Sequence, residues 1–187
     1  GATIVIITAG IDLSVGSIYA LAGVTTAMVL RALGPMGGAE TFFIGLTVAL
    51  GVGLICGVVN GVMVVGLDVH PFIITLGTMW IVRGVAFVTS HAESILLPHA
   101  LTDVAKAPLG LAEGLYPVPL LVMVVTAALG SIYLTQTVMG RHVFAFGGNP
   151  EASRFSGLRL GWINIGVYVI SGVTAGLAAF LGASFYG

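Results

Sequence analysis

Residues 42–66, "FFIGLTVALGVGLICGVVNGVMVVG", run for a full helical span without one charged side chain. As an α-helix this stretch is about 37 Å long, enough to cross the roughly 30 Å hydrocarbon core of a bilayer. Similar apolar runs recur at 13–30, 71–90, 118–135 and 162–186, and residues 1–9 read as the end of another helix. Only 7% of the 187 residues are charged and 58% are hydrophobic, against the roughly 25% charged of an ordinary soluble domain. A chain of this size cannot hide that much apolar surface from water, so its solvent is lipid. The runs are continuous rather than alternating, which selects helices over the strands of a membrane barrel. The expected fold is therefore an all-α polytopic membrane protein, one transmembrane domain over 1–187, with a broken helix near residues 9–16.

Charge sorting orients these spans. The 136–161 connector carries Arg141, Arg154 and Arg159 against Glu151, whereas the 91–117 connector carries Glu93, Asp103 and Glu113 against Lys106. Basic residues stay on the cytoplasmic side, so 136–161 is expected to face in and the acidic 91–117 segment out. A net charge of -1 leaves no basic patch for nucleic acid. The single cysteine, Cys56, lies within a span and can form neither an internal disulfide nor a metal cluster. His70, His91, His99 and His142 stand at span edges or in connectors and share no metal-ligand spacing. No phosphate-cradling G-x-x-x-x-G-K-[ST] and no nucleophile–base constellation occurs, so the chain is expected to be neither an ATPase nor another enzyme, and to bind no cofactor or metal. The chain begins in mid-hydrophobic sequence without an initiator methionine and is expected to be part of a longer protein.

Small residues recur at helical spacing. Ala49, Gly53, Gly57 and Gly61 share one helix face, and Ser171, Ala175 and Ala179, beside Gly172 and Gly176, form another. Such faces let helix backbones approach where lipid supplies no hydrophobic drive, and packing within the chain is the favoured use.

Two stretches break the pattern. In "TAGIDLSVGS", residues 8–17, Asp12 can cap a helix beginning near Leu13 by accepting from the backbone N–H of Ser14 or Val15. Gly10 and Gly16 permit a bend, and Ser14 and Ser17 can satisfy the freed backbone groups. In residues 140–160, "GRHVFAFGGNPEASRFSGLRL", Asn149 is a good N-cap, Pro150 suits the first helical position and Glu151 the positive end of the dipole. Gly157 can supply the left-handed stop of a two-turn helix over 150–156. A helix that short needs support. Docking onto a partner and resting on lipid headgroups both provide it.

Arg83 follows twelve residues of "PFIITLGTMWIV", about 18 Å into its helix. An arginine so deep costs at least ~2.5 kcal/mol unless it faces protein or water. A partnership with Asp12 and snorkelling toward the outer surface both answer that cost. Asn60 lies on the glycine-bearing face, where interhelical hydrogen bonding is its favoured role. Few spanning residues could stack on or hydrogen-bond a sugar: Tyr19, Thr75, Thr78 and Trp80.

"AGIDLSVGS", "HPFIITLGTMWIVRG" and "GRHVFAFGGNPEASRFSGLRL", in this order and at these separations, resemble the permease subunits of bacterial ABC sugar importers. The similarity is greatest to the ribose-type branch, with its galactoside and autoinducer-2 permeases, and runs through essentially the whole chain. Relative to that family an N-terminal helix or two and a C-terminal part are missing, and Ala9 replaces the usual glycine. The resemblance implies a helical bundle of importer-permease type in the bacterial inner membrane, moving a monosaccharide. It implies a second permease copy, an ATP-binding cassette subunit that carries the ATP–Mg, and a periplasmic sugar-binding protein facing the 91–117 segment. It makes 136–161 a cytoplasmic coupling loop that docks into the ATPase subunit, with Gly147, Gly148, Asn149, Glu151, Ala152, Arg154 and Gly157 matching the motif. Asp12, Ser14, Asn60, Thr75 and Arg83 are the candidates for the translocation path. The rival readings are a secondary transporter or channel working without an ATPase, and a purely structural membrane subunit. The first would gather ionisable groups at the midplane within inverted repeats.

Overall fold

The computed structural model describes residues 1–67, 69–93, 95, 97, 101–102 and 117–186. It is all-α among these residues. The helices are α1 (Ala2–Ile7), α2 (Val15–Leu33), α3 (Gly38–Gly66), α4 (Pro71–Ser90), α5 (Pro117–Gln136), α6 (Val138–Gly148), α7 (Pro150–Phe155) and α8 (Leu160–Tyr186). Five of them, α2, α3, α4, α5 and α8, are long and apolar enough to cross a membrane. Most charges of the acidic segment (Asp103, Lys106 and Glu113), with His99, lie outside the described residues. Glu93 is exposed beyond the end of α4.

The centre of the bundle is the antiparallel pair α3–α8, against which α2 packs. The two small-residue stripes face each other. A Cβ on Gly57 would lie 2.6 Å from the Tyr168 carbonyl oxygen, and one on Gly61 2.8 Å from the Ile165 Cα. Gly53 lies against Gly172, and Gly176 against Ala49. Pairing a residue near 53 with one near 172, and one near 61 with one near 165, makes a continuous antiparallel seam in which backbones touch. Side chains at these positions would hold the helices apart. At one end of the seam Phe42 meets Phe180 edge to face, centroids 5.1 Å apart. Around the other end Ile4, Val5, Val64, Ile74, Val143 and Val167 close a core shared by α1, α3, α4, α6 and α8.

Helix α2 also packs on α4, while α5 stands to one side with α6 as its principal partner. No residue in the apolar window of α5 is buried. An apolar groove of about 500 Å³ separates α5 from α8 and α1.

The expected cytoplasmic connector at 136–161 is mostly helical. Beyond the anticipated short helix it holds α6, three turns long. The Thr137 side chain caps α6 by accepting from the Gly140 N–H at 3.0 Å, and Gly140 lies directly against the carbonyls of Tyr133 and Leu134. The low hydropathy of the segment concealed a helix whose apolar side, through Val143 and Phe146, packs on the core.

Candidate functional site

Helix α1 ends in a Schellman motif. The Ala9 N–H donates to the Ile6 carbonyl at 2.9 Å and the Gly10 N–H to the Val5 carbonyl at 3.0 Å. Ala9 holds the left-handed position (φ 56°) that glycine occupies most easily. The chain then runs without helix from Gly10 to Ser14 before α2 begins. Such a stretch frees backbone groups that lipid cannot satisfy, so it needs polar side chains around it.

Asp12 organises them. One carboxylate oxygen accepts from the Ser14 N–H at 3.0 Å and the Ser14 hydroxyl at 2.6 Å; the other accepts from the Ser171 hydroxyl on α8 at 2.7 Å. Asn60, on the glycine face of α3, donates its side-chain amide to Ser14 Oγ at 2.7 Å. The Thr75 hydroxyl on α4 lies 3.0 Å from the Ile11 carbonyl oxygen. Ser14, Asn60, Thr75 and Ser171 are almost completely buried. The break is thus tied to α3 and α8 through Asp12 and Ser14, and separately to α4 through the Ile11 carbonyl. The buried Tyr168 hydroxyl has no hydrogen-bond partner among the described residues and points at Gly10, where a Cβ would lie 2.9 Å from it. A side chain at position 10 would collide with that phenol.

Four of the five residues expected on a translocation path, Asp12, Ser14, Asn60 and Thr75, therefore meet at the break. Arg83 does not. It lies eight residues beyond Thr75 on α4, about 12 Å further along the axis, and is exposed. The Asp12–Arg83 partnership is thereby corrected: Asp12 is held by hydroxyls and a backbone amide. The cap at Asp12 forms through the Ser14 N–H, but α2 starts at Val15 rather than near Leu13. Ser171 and Tyr168 were not anticipated at this site. Ser171 reads in the sequence only as one more small residue of a packing stripe, and nothing local ties it to a residue 159 positions earlier. Among the described residues no group of three or more His, Cys, Asp or Glu converges. His70 has a structural role, its ring Nδ1 accepting from the Phe72 N–H at 3.3 Å at the start of α4.

The second locus is α7. Asn149 caps it by accepting from the Ala152 N–H at 2.9 Å, Pro150 takes the first turn, and Gly157 ends it at φ 83°. The Gly157 N–H donates to the Arg154 carbonyl at 3.0 Å and the Leu158 N–H to the Ser153 carbonyl at 3.2 Å, a second Schellman closure. Gly147 sits directly against the Ile7 carbonyl, which ties this region to α1. Of the motif residues, Asn149, Gly157 and Gly147 thus shape the chain. Glu151, Ala152 and Arg154 are exposed, Gly148 has open space around it, and Ser153 is the buried contact. Phe155, absent from the expected set, is 92% exposed.

A sequence profile for the family described as "Branched-chain amino acid transport system / permease component" matches residues 1–187. The chain is 35% identical over 184 residues to the D-allose transport system permease protein AlsC of Escherichia coli K12, covering 97% of this chain and 53% of that protein. It is 34% identical over 182 residues to the ribose import permease protein RbsC of Haemophilus influenzae (97% and 54%). To the L-arabinose transport system permease protein AraH of E. coli K12 it is 34% identical over 175 residues (92% and 50%). The chain spans about half the length of these relatives. No solved structure matches it significantly.

Proposed function

The chain belongs to the family of branched-chain amino acid transport system permease components, and from that premise we propose that it is the membrane-spanning subunit of an ATP-driven importer for a monosaccharide. The relatives named for allose, ribose and arabinose support a sugar as cargo, and the five apolar helices support a multi-pass protein of the bacterial inner membrane. ATP–Mg is bound and hydrolysed by a separate ATP-binding cassette subunit, a periplasmic sugar-binding protein delivers substrate to the side bearing 91–117, and a second permease copy completes the path.

The observation that carries the reading is α7: a two-turn helix closed at both ends, with Phe155 turned fully outward. It is the coupling element. Glu151, Ala152, Arg154 and Phe155 meet the ATPase subunit, with Gly148 leaving open space beside them, while Gly147, Asn149 and Gly157 hold the helix in shape. Movement of α7 passes through α6 to α1, which packs on α6 and leads straight into the break at Gly10–Ser14. The path from ATPase to break is therefore short and contiguous, as a two-state coupling element requires. Asp12, Ser14, Asn60 and Thr75 hold the break beside the translocation path, and Arg83 lies on the opposite stretch of α4.

Purification of the full-length protein co-expressed with its genomic ATPase neighbour tests this. The ATPase is expected to co-elute, and uptake of labelled pentoses or hexoses into vesicles is expected to require ATP inside. Uptake that persists without ATP, with no ATPase retained, would overturn the assignment.

A further inference from the structure

One buried group beside the break takes no part in the hydrogen bonds that hold it. Tyr168 is 0% exposed, and its hydroxyl has no partner among the described residues. A buried donor left unpaired is costly, so an arrangement of the chain that pairs it is favoured. Near Gly10, against which the phenol rests, stands the Val5 carbonyl. That oxygen already accepts from the Thr8 hydroxyl at 2.9 Å and the Gly10 N–H at 3.0 Å, which fills both lone pairs. The Asp12 carboxylate is different. It belongs to a residue two positions beyond Gly10, and its charge acts on the phenol. One of its oxygens accepts two bonds from Ser14, but the other accepts only the Ser171 hydroxyl and keeps a lone pair free. Tyr168 and Ser171 stand three residues apart on one side of α8, about 4.5 Å along the axis. Their hydroxyls are therefore consecutive anchor points for a single carboxylate. The stretch from Gly10 to Ser14 lies outside any helix, so Asp12 can travel between them without breaking a helical ladder.

We propose that Tyr168 is a positioning residue for transport: Ser171 anchors Asp12 in the state described, and the Tyr168 hydroxyl anchors it in the alternate state. This builds on the coupling reading above, in which α7 and α6 move α1. Helix α1 runs antiparallel to α8, with Gly1 beside Ser171 and Thr174 and Gly10 beside Tyr168. A slide of α1 along its own axis toward the start of α8 carries the break from the first anchor to the second. Two anchors one turn apart give the break two discrete positions rather than a continuous range.

Tyr168→Phe removes only the hydroxyl, and the full-length protein reconstituted with its ATPase subunit in lipid vesicles tests the pair. Hydrogen exchange of residues 8–17 is followed without nucleotide and with the ATPase trapped by ATP and vanadate. Tyr168→Phe should speed exchange about ten-fold in one nucleotide state alone, the loss of one hydrogen bond to a charged group. Ser171→Ala should do so in the other state alone. Maximal uptake should fall in Tyr168→Phe with the half-saturating sugar concentration unchanged. In detergent, without the ATPase, Tyr168→Phe should unfold as wild type does, whereas Ser171→Ala should unfold more easily. ATP-dependent uptake by wild type in the same vesicles checks the importer reading separately, so a failure of that reading is not mistaken for a failure of the anchors. Three outcomes overturn the proposal: wild-type exchange by Tyr168→Phe in both states, acceleration by both variants in the same state, or easier unfolding of Tyr168→Phe, which would make the phenol a fixed structural contact.

Discussion

The α3–α8 seam makes a steric prediction that can be separated from helix propensity. In Gly57→Ala the new Cβ would sit 2.6 Å from the Tyr168 carbonyl oxygen and 2.9 Å from the Val169 Cα. Both neighbours are backbone and cannot rotate away. Ordinary contact begins near 3.4 Å, so the helices must part locally by about 0.8 Å. A gap of that size forfeits roughly a quarter to a half of each dispersion well along the seam. Overpacking of this kind costs about 1–3 kcal/mol, a five- to 150-fold change in the folded population. The control is Gly51→Ala, on the same helix, where nothing lies within 4 Å of the added Cβ. Both changes gain the same helix propensity, about 1 kcal/mol, so their difference isolates the clash. Unfolding of the full-length protein by titration with sodium dodecyl sulfate in mixed micelles provides the comparison. Gly57→Ala is expected to unfold at clearly lower detergent fraction than Gly51→Ala. Coincident curves would refute the close-packed seam.

Three further outcomes follow from the two loci. Ala9→Gly relieves a left-handed alanine (φ 56°) and should stabilise the protein by about 1 kcal/mol in the same titration. Asp12→Ala leaves the Ser14 N–H, the Ser14 hydroxyl and the Ser171 hydroxyl without their acceptor. At about 1–3 kcal/mol for a buried unsatisfied donor, it should destabilise by more than 2 kcal/mol and abolish sugar uptake, with Asp12→Asn intermediate in both assays. Phe155→Ala removes an exposed side chain and should leave the unfolding curve within about 0.5 kcal/mol of wild type. It should nonetheless weaken co-purification of the ATPase subunit about ten-fold, as loss of a buried aromatic anchor does.

Much of this protein is legible without coordinates, for local reasons. Hydropathy over twenty residues reports the solvent, and the long helices fall where the apolar runs do. The Asn149–Pro150 start and Gly157 stop of α7 are set by hydrogen bonds closed within four residues, so the residue types alone announce them. The same signals were present for α6, where Thr137 caps Gly140, but a polar segment of low hydropathy reads as a connector when hydropathy is the guide.

What the sequence by itself determined, then, was a lipid-solvated helical bundle, its break near Asp12, its capped α7 and the two small-residue faces. The tertiary structure alone decided which faces meet and which polar groups share a site. Helix α3 is apolar nearly all round, and in lipid hydropathy does not distinguish a lipid-facing surface from a packed one. Rotation about each helix axis is instead set by backbone approach at Gly53, Gly57 and Gly61. That rotation carries Asn60 to Ser14 and Ser171 to Asp12, and the advance along α4 leaves Arg83 outside. The bond from Ser171 to an aspartate 159 residues earlier has no local signature, because that partner is chosen by packing across the whole chain, whereas the Ser14 cap is local and legible.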